Sequence, residues 1–226
     1  MTVSGNSFGC LETTVAVGDG DLLLTVPKCE KFGVIPMTPK VIEVEFKQAY
    51  QNKIELKKGW NFFSVPKTLD VSNDTWSELN LNTRCTASAS WNDNTQTWTS
   101  PVPVNEIITP LEAYWCKSNS DVTINVVPED SSLIFLPPTK AVFPGWNDVG
   151  LSTYVEMKME YALISIDSAY AQVLDWIEGL QRFNPMANTG ELGGGDVPGT
   201  TGTNNMEAGQ GYFIYATGSG TVAGLS

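Results

Sequence analysis

The sequence has no histidine among its 226 residues. Histidine is the most frequent general base and the commonest metal ligand, so serine–histidine chemistry and histidine-ligated zinc are excluded. No apolar run approaches the roughly eighteen residues of a membrane-spanning helix. Basic residues are scarce: 13 Lys and Arg stand against 25 Asp and Glu, a formal net charge of -12. Such a chain repels phosphate backbones, which argues against sequence-independent nucleic-acid binding. Charged residues make up 17% and apolar residues 42%, too apolar for a disordered chain. The length suits one large β domain or two to three small ones, each with its own core.

Other expected signals are also missing. The four cysteines, Cys10, Cys29, Cys85 and Cys116, include no Cys-x-x-Cys pair, which argues against a zinc or redox motif. Their even number and wide spacing suit two disulfides, most simply Cys10–Cys29 and Cys85–Cys116, out of three possible pairings. Four buried free thiols are the alternative. Disulfides imply an oxidising location outside the cytoplasm. Residues Met1 to Cys10 lack the basic and apolar regions of a secretory signal, so either the protein stays inside or a leader has been removed.

What the sequence does contain is a repeat. Gly59-Trp60-Asn61 recurs as Gly145-Trp146-Asn147, 86 residues later. Trp91 and Trp98 lie seven apart, as do Trp176 and Phe183, at nearly equal distances from their respective Gly-Trp-Asn blocks. Each copy closes on an aromatic pair in a strand-like run, Ala113-Tyr114-Trp115 and Gly211-Tyr212-Phe213. Three aligned features read as a tandem duplication. Within each copy the expected unit is strand, short helix, hairpin, strand. Glycine opens the first strand, and the two tryptophans flank the first hairpin, which runs from Trp91 to Trp98. The first helix is expected to start at Asn73 to Leu79. The second is expected after Thr153, burying Met157, Tyr161 and Ile164.

The first 52 residues differ. Glu12 to Val17, Asp21 to Val26 and Val41 to Lys47 are strand candidates, and three strands alone make a marginal fold. They are expected to pack on the first copy, use a Cys10–Cys29 staple, or pair with a neighbouring molecule through an exposed edge. The fold expected is therefore mainly β: an N-terminal β segment over 1–52, then two tandem β-rich modules over 53–128 and 129–226, each with a short helix.

Leu56-Lys57-Lys58-Gly59-Trp60-Asn61-Phe62-Phe63-Ser64-Val65-Pro66, followed by Ile108-Thr109-Pro110-Leu111 before Tyr114-Trp115, resembles tandem modules of large cell-surface proteins from methanogenic archaea. The second copy is similar again, from Pro137 through Gly145-Trp146-Asn147 to Thr217. The resemblance covers roughly Ile54 to Ser226. It implies an extracellular cell-envelope role, S-layer-like, sheath-like or adhesive, and carries no catalytic residues across.

Three function classes are weighed. The first is a self-assembling structural envelope subunit, whose partner is another copy of itself or a further envelope protein. Residues 1–67 carry eight lysines and seven acids, while residues 141–226 carry two basic residues and nine acids. Unlike ends favour head-to-tail contacts that grow filaments or tubes, although a solvated acidic face has the same composition. The second is a carbohydrate- or surface-binding adhesion module. Its aromatic platforms would be Trp76 and Trp98, whereas Trp60, Trp146, Trp91, Trp176, Tyr114 and Tyr212 at matched positions read as core. A viral structural protein is a further alternative. The third class, an enzyme, finds no active site, and no cofactor or metal is expected. Asp19-Gly20-Asp21 and Asn92-Asp93-Asn94 read as turns rather than calcium ligands. Gly193-Gly194-Gly195 lies in an insertion, Ala187 to Asn205, that reads as a flexible or assembly loop rather than a phosphate loop. Asn73-Asp74-Thr75 fits a glycan acceptor, with Asn73 or Asp74 as a helix cap the preferred reading.

Overall fold

The computed structural model describes residues 52–129, 136–186 and 204–224 in full, and residues 2–5, 11–17 and 20–25 as backbone strands. The chain is mainly β, and it divides into two compact units, Met1–Phe46 and Lys47–Ser226. In the first unit, β1 (Thr2–Gly5), β2 (Leu11–Val17) and β3 (Gly20–Thr25) form one antiparallel sheet in that order. Two of the three strand candidates of the N-terminal segment thus appear as β2 and β3. The third, Val41 to Lys47, lies outside the described residues, as do Cys10, Cys29 and Asp19.

The second unit contains both Gly-Trp-Asn blocks. Its first half holds β4 (Lys53–Leu56), β5 (Gly59–Ser64), the one-turn helix α1 (Leu81–Arg84), β6 (Cys85–Asn92), β7 (Thr97–Thr99), β8 (Ala113–Ser118) and β9 (Val122–Asn125). The second half holds β10 (Thr139–Val142), β11 (Gly145–Gly150), β12 (Met157–Lys158), α2 (Met159–Ala162) and a 3₁₀ stretch (Ile164–Ala169). It continues with β13 (Tyr170–Ile177), β14 (Arg182–Pro185), β15 (Asn205–Met206), β16 (Gly211–Ala216) and β17 (Gly220–Ala223). Each half builds a four-stranded antiparallel sheet, β5-β8-β6-β7 and β11-β16-β13-β14, plus a two-stranded ribbon, β4-β9 and β10-β17. The strand orders match, and so do the registers: Trp91 faces Trp98 in one hairpin, and Trp176 faces Phe183 in the other.

Side-chain alternation sends each strand's residues to two apolar regions. Phe63, Tyr114 and Cys116 point into the core of the first half, with Val65, Leu69, Trp76 and Leu81. Val149, Tyr212 and Ile214 occupy the core of the second half, with Leu163 and Met206. The opposite faces meet in a third cluster that contains Phe62, Ala113, Trp115, Trp176 and Phe213.

Cys85 and Cys116 form a disulfide between β6 and β8, closing a sequence separation of 31 residues. A loop of that size predicts about 3 to 4 kcal/mol of stabilisation. A Cys85→Ser, Cys116→Ser double variant is expected to lower the urea-unfolding free energy by that amount, and an unchanged midpoint would contradict it.

Two local expectations are corrected. Asn73 and Asp74 do not cap a helix. Thr75 caps a single turn instead, its Oγ1 accepting from Glu78 N at 3.3 Å while Glu78 Oε2 accepts from Thr75 N at 3.1 Å. Helical geometry begins only at Leu81, after Asn80 in the left-handed region at φ 56. Asn73 is half-buried, and its Oδ1 accepts from Val127 N at 3.3 Å. In the second half, Tyr161 and Ile164 are exposed, and the buried face is Met159, Ala162, Leu163 and Ile166. The chain enters α2 from a short strand and breaks into a 3₁₀ stretch, so the face lies one to two residues off the i, i+4, i+7 expectation.

Candidate functional site

The two halves are joined by a reciprocal clamp. At the tip of the β6–β7 hairpin, Gln96 adopts φ 54, and its side chain grips the backbone of Trp146. Oε1 accepts from Trp146 N at 2.8 Å and Nε2 donates to Trp146 O at 2.6 Å. At the tip of the β13–β14 hairpin, Gln181 adopts φ 50 and holds Trp60 in the same way, at 2.7 and 2.9 Å. The indole N–H groups repeat the exchange: Trp91 Nε1 donates to Trp146 O and Trp176 Nε1 to Trp60 O, at 2.8 and 2.9 Å. This explains the Gly before each tryptophan. Gly59 and Gly145 have φ 109 and 112, and a Cβ on Gly59 would lie 2.8 Å from Gln181 Oε1. Each Asn then secures the turn, donating to the carbonyls of residues 57 and 59, or 143 and 145.

Clamping brings two aromatic sheet faces together and leaves an open cleft of about 610 Å³ between them. Six tryptophans line it: Trp60, Trp91, Trp98 and Trp115 from the first half, Trp146 and Trp176 from the second. Phe183 and Phe213 add to the wall. The rings meet edge to face, as their quadrupoles favour: Trp91 on Trp98 and Trp115 on Trp176 at 4.8 Å, Trp176 on Phe183 at 5.1 Å. Every lining side chain is apolar or aromatic, in the size range of a ligand site.

This placement sorts the matched aromatic residues. Tyr114 and Tyr212 are buried in their own cores, with hydroxyl bonds to Ile107 O at 3.1 Å and from Glu207 N at 2.7 Å. Trp176 is a buried cleft wall. Trp60, Trp91 and Trp146 are only half-buried and face the cleft, a correction to their reading as core. Trp91 packs across on Phe213 of the second half at 6.2 Å, whereas Trp60 packs on Trp115 and Trp146 on Phe213 and Tyr215 within their own halves. Trp98 is 52% exposed, as expected of a platform. Trp76 is 1% exposed, contrary to that expectation. The Thr75–Glu78 turn tucks it under β5 and β8, where it packs on Phe63 and Tyr114, each at 6.1 Å.

A second feature lies at the same junction. Lys140, 7% exposed, carries its ammonium among three carboxylates. Nζ lies 2.8 Å from Asp148 Oδ1 and 3.0 Å from Asp93 Oδ2, and it also contacts Glu112. Asp148 is 1% exposed; its Oδ2 accepts from Ala113 N at 2.7 Å, and its own N–H donates to Asp93 Oδ1 at 3.0 Å. Asp93 and Glu112 belong to the first half, Lys140 and Asp148 to the second. Burial pushes the Asp148 carboxyl up to about 7, against the pull of Lys140. Asp93 and Glu112 are raised for the same reason. The three carboxylates have oxygens within 4.8 Å of one another, close enough to hold a metal ion, and Lys140 supplies the cation at that point.

The position of Asp93 corrects its reading as a plain turn residue: the hairpin tip turns it inward rather than to water. The neighbouring Asn92 does serve the turn, accepting from Thr95 N at 2.9 Å. Residues 187–203 of the Ala187 to Asn205 insertion lie outside the described residues, and its final residue, Asn205, opens β15, which pairs with β12.

Gln96, Gln181, Lys140 and Asp148 were not singled out from the sequence, and Trp115 and Phe213 were noted only as members of the closing aromatic pairs. A signal for two of them exists. At matched strand positions Ile54 becomes Lys140 and Phe62 becomes Asp148, a paired change from apolar to charged. Among the described residues, no helix is long and apolar enough to cross a membrane. Comparison with known protein families, with characterised proteins and with solved structures finds no match to this chain.

Proposed function

We propose that this chain is a non-enzymatic structural subunit of an extracellular cell envelope that assembles with further copies of itself, using the tryptophan-walled cleft to receive a neighbour. The observation that carries the reading is the chemistry of that cleft: six tryptophans around about 610 Å³, with no polar side chain in the lining. A polar metabolite would find no partners there, whereas an apolar protein segment would bury large aromatic surface. The chain itself carries such a segment. Residues Leu133 to Pro138 read Leu-Ile-Phe-Leu-Pro-Pro, and Leu136 is 87% exposed. The Cys85–Cys116 disulfide suits an oxidising location.

Light scattering and electron microscopy of the purified chain test this. Trp98→Asp in the cleft rim and, separately, Leu136→Asp are each expected to weaken self-association on the order of 30-fold, the loss of one anchor residue. A chain that stays monomeric at every concentration, or that assembles equally well with both substitutions, would overturn it.

The exposed rims favour one second reading. Trp98 and Phe183 (52% and 40% exposed) could stack on pyranose faces as an adhesion module does. Tryptophan-fluorescence quenching by soluble polysaccharides, in a chain that does not self-associate, would support it instead.

A further inference from the structure

We propose that Lys140 and Asp148 become joined by an intramolecular amide bond, which the folded chain forms from its own side chains. The reacting groups are preplaced. Lys140 sits on β10 and Asp148 on β11, and pairing to β17 and β16 fixes both strands, so Nζ is held 2.8 Å from Asp148 Oδ1. Such prior positioning removes most of the entropic part of a bimolecular barrier. The surroundings supply the rest of the machinery. Glu112 contacts the same Nζ and is placed to take its proton. Ala113 N–H donates to Asp148 Oδ2 at 2.7 Å, where negative charge would develop on attack at Cγ. Asp93 touches both reactants, through Oδ2 to Nζ and Oδ1 to the Asp148 amide.

The chemistry balances without a cofactor or co-reactant. Glu112 accepts one proton from the Lys140 ammonium, leaving a neutral amine. The Nζ lone pair forms a bond to Cγ of the protonated Asp148 carboxyl, and the carbonyl electrons move onto the oxygen held by Ala113 N–H. A proton then passes from nitrogen to the departing hydroxyl through Glu112, the C–O bond breaks, and one water leaves. The product is a secondary amide, and the proton first held by Lys140 stays with the Glu112–Asp93 pair.

Burial acts on the two reactants differently. It favours the uncharged Asp148 acid, whereas the three surrounding carboxylates hold the Lys140 ammonium charged, so transfer of its proton to Glu112 is the demanding step. The raised affinity of Asp148 for a proton, set by its burial, supplies the uncharged acid that the step requires. The amide also removes two buried charges from the junction. The matched positions in the first half, Ile54 and Phe62, have no such groups, so one bond per chain is expected.

Mass spectrometry of the full chain, after reduction of disulfides and denaturation, tests the bond directly. The intact chain should be lighter than its sequence by one water. Trypsin should fail to cut after Lys140, giving a peptide over residues 118–158 that is one water light and whose fragments join Lys140 to Asp148. Lys140→Arg and Glu112→Gln should each restore the full mass. Circular dichroism would establish that the Glu112→Gln chain is folded, so that failure to react is separated from failure to fold. A wild-type chain of full mass cut normally at Lys140 would overturn the proposal. So would a water loss that maps elsewhere, or a link from Lys140 to Asp93.

Discussion

Replacing Trp76 with alanine is expected to lower the unfolding free energy of the 47–226 unit by about 3 to 5 kcal/mol, the usual cost of emptying a large aromatic site in a closed core. The indole is 1% exposed and packs against Phe63 and Tyr114, a facing pair between β5 and β8. Its backbone is held at both ends as well, N–H to Glu106 O at 2.8 Å and carbonyl to Leu81 N at 3.0 Å. The cavity therefore has little freedom to collapse. Domains of this size are stable by roughly 5 to 15 kcal/mol, so the loss is a large share of the total. Urea unfolding followed by tryptophan fluorescence measures it, and a loss below about 1 kcal/mol would show that the turn relaxes into the space.

The second large effect is at the junction. Relative to the chain in which Lys140 and Asp148 are not joined, Lys140→Met removes the cation from three carboxylates, and breaking a buried ion pair in this way typically costs about 3 to 5 kcal/mol. The effect carries a pH signature. Burial already raises the Asp148, Asp93 and Glu112 carboxyls, and Lys140 is what holds each of them down. A carboxyl raised in the folded state binds more protons folded than unfolded, so its folded form loses stability as pH rises from the ordinary carboxylate range through the raised value. Without Lys140 that window extends upward. The variant should therefore be closest to the unlinked wild-type chain near pH 5 and furthest from it near pH 8, measured as the shift in urea midpoint. A deficit that is constant across that range would mean the carboxylates reach water when the lysine is gone.

Much of the architecture was legible in the sequence, for a physical reason. Hairpins and edge pairings are local, so Trp91 with Trp98 and Trp176 with Phe183 declare themselves by spacing, and alternation marks the strands around them. The Cys85–Cys116 disulfide is the simplest of the three pairings that the sequence left open. What stayed hidden depends on contacts between halves. Gln96 reads as an ordinary hairpin residue until Trp146 is placed against it, 50 residues on. Trp76 reads as exposed because its neighbours in sequence are polar, while its neighbours in space come from β5 and β8. Lys140 looks solvated between Thr139 and Ala141, yet alternation in β10 turns it inward, where Ile54 stands in the matched strand. The cleft follows from the same cause: Trp60, Trp91, Trp146 and Trp176 read as core because half of a shared wall has the composition of a core.

The clamp makes the order of synthesis matter. When Trp146 leaves the ribosome, the Gln96 that will hold it has already been made. Trp60 is in the opposite position, since its partner Gln181 lies 121 residues downstream. At usual elongation rates that separation corresponds to roughly ten seconds in which the first sheet's leading strand has an unclaimed amide and carbonyl at its start. The newborn first half is thus an incomplete surface until the second half arrives to finish it. The 47–226 unit reaches its final form only after most of its length has been translated.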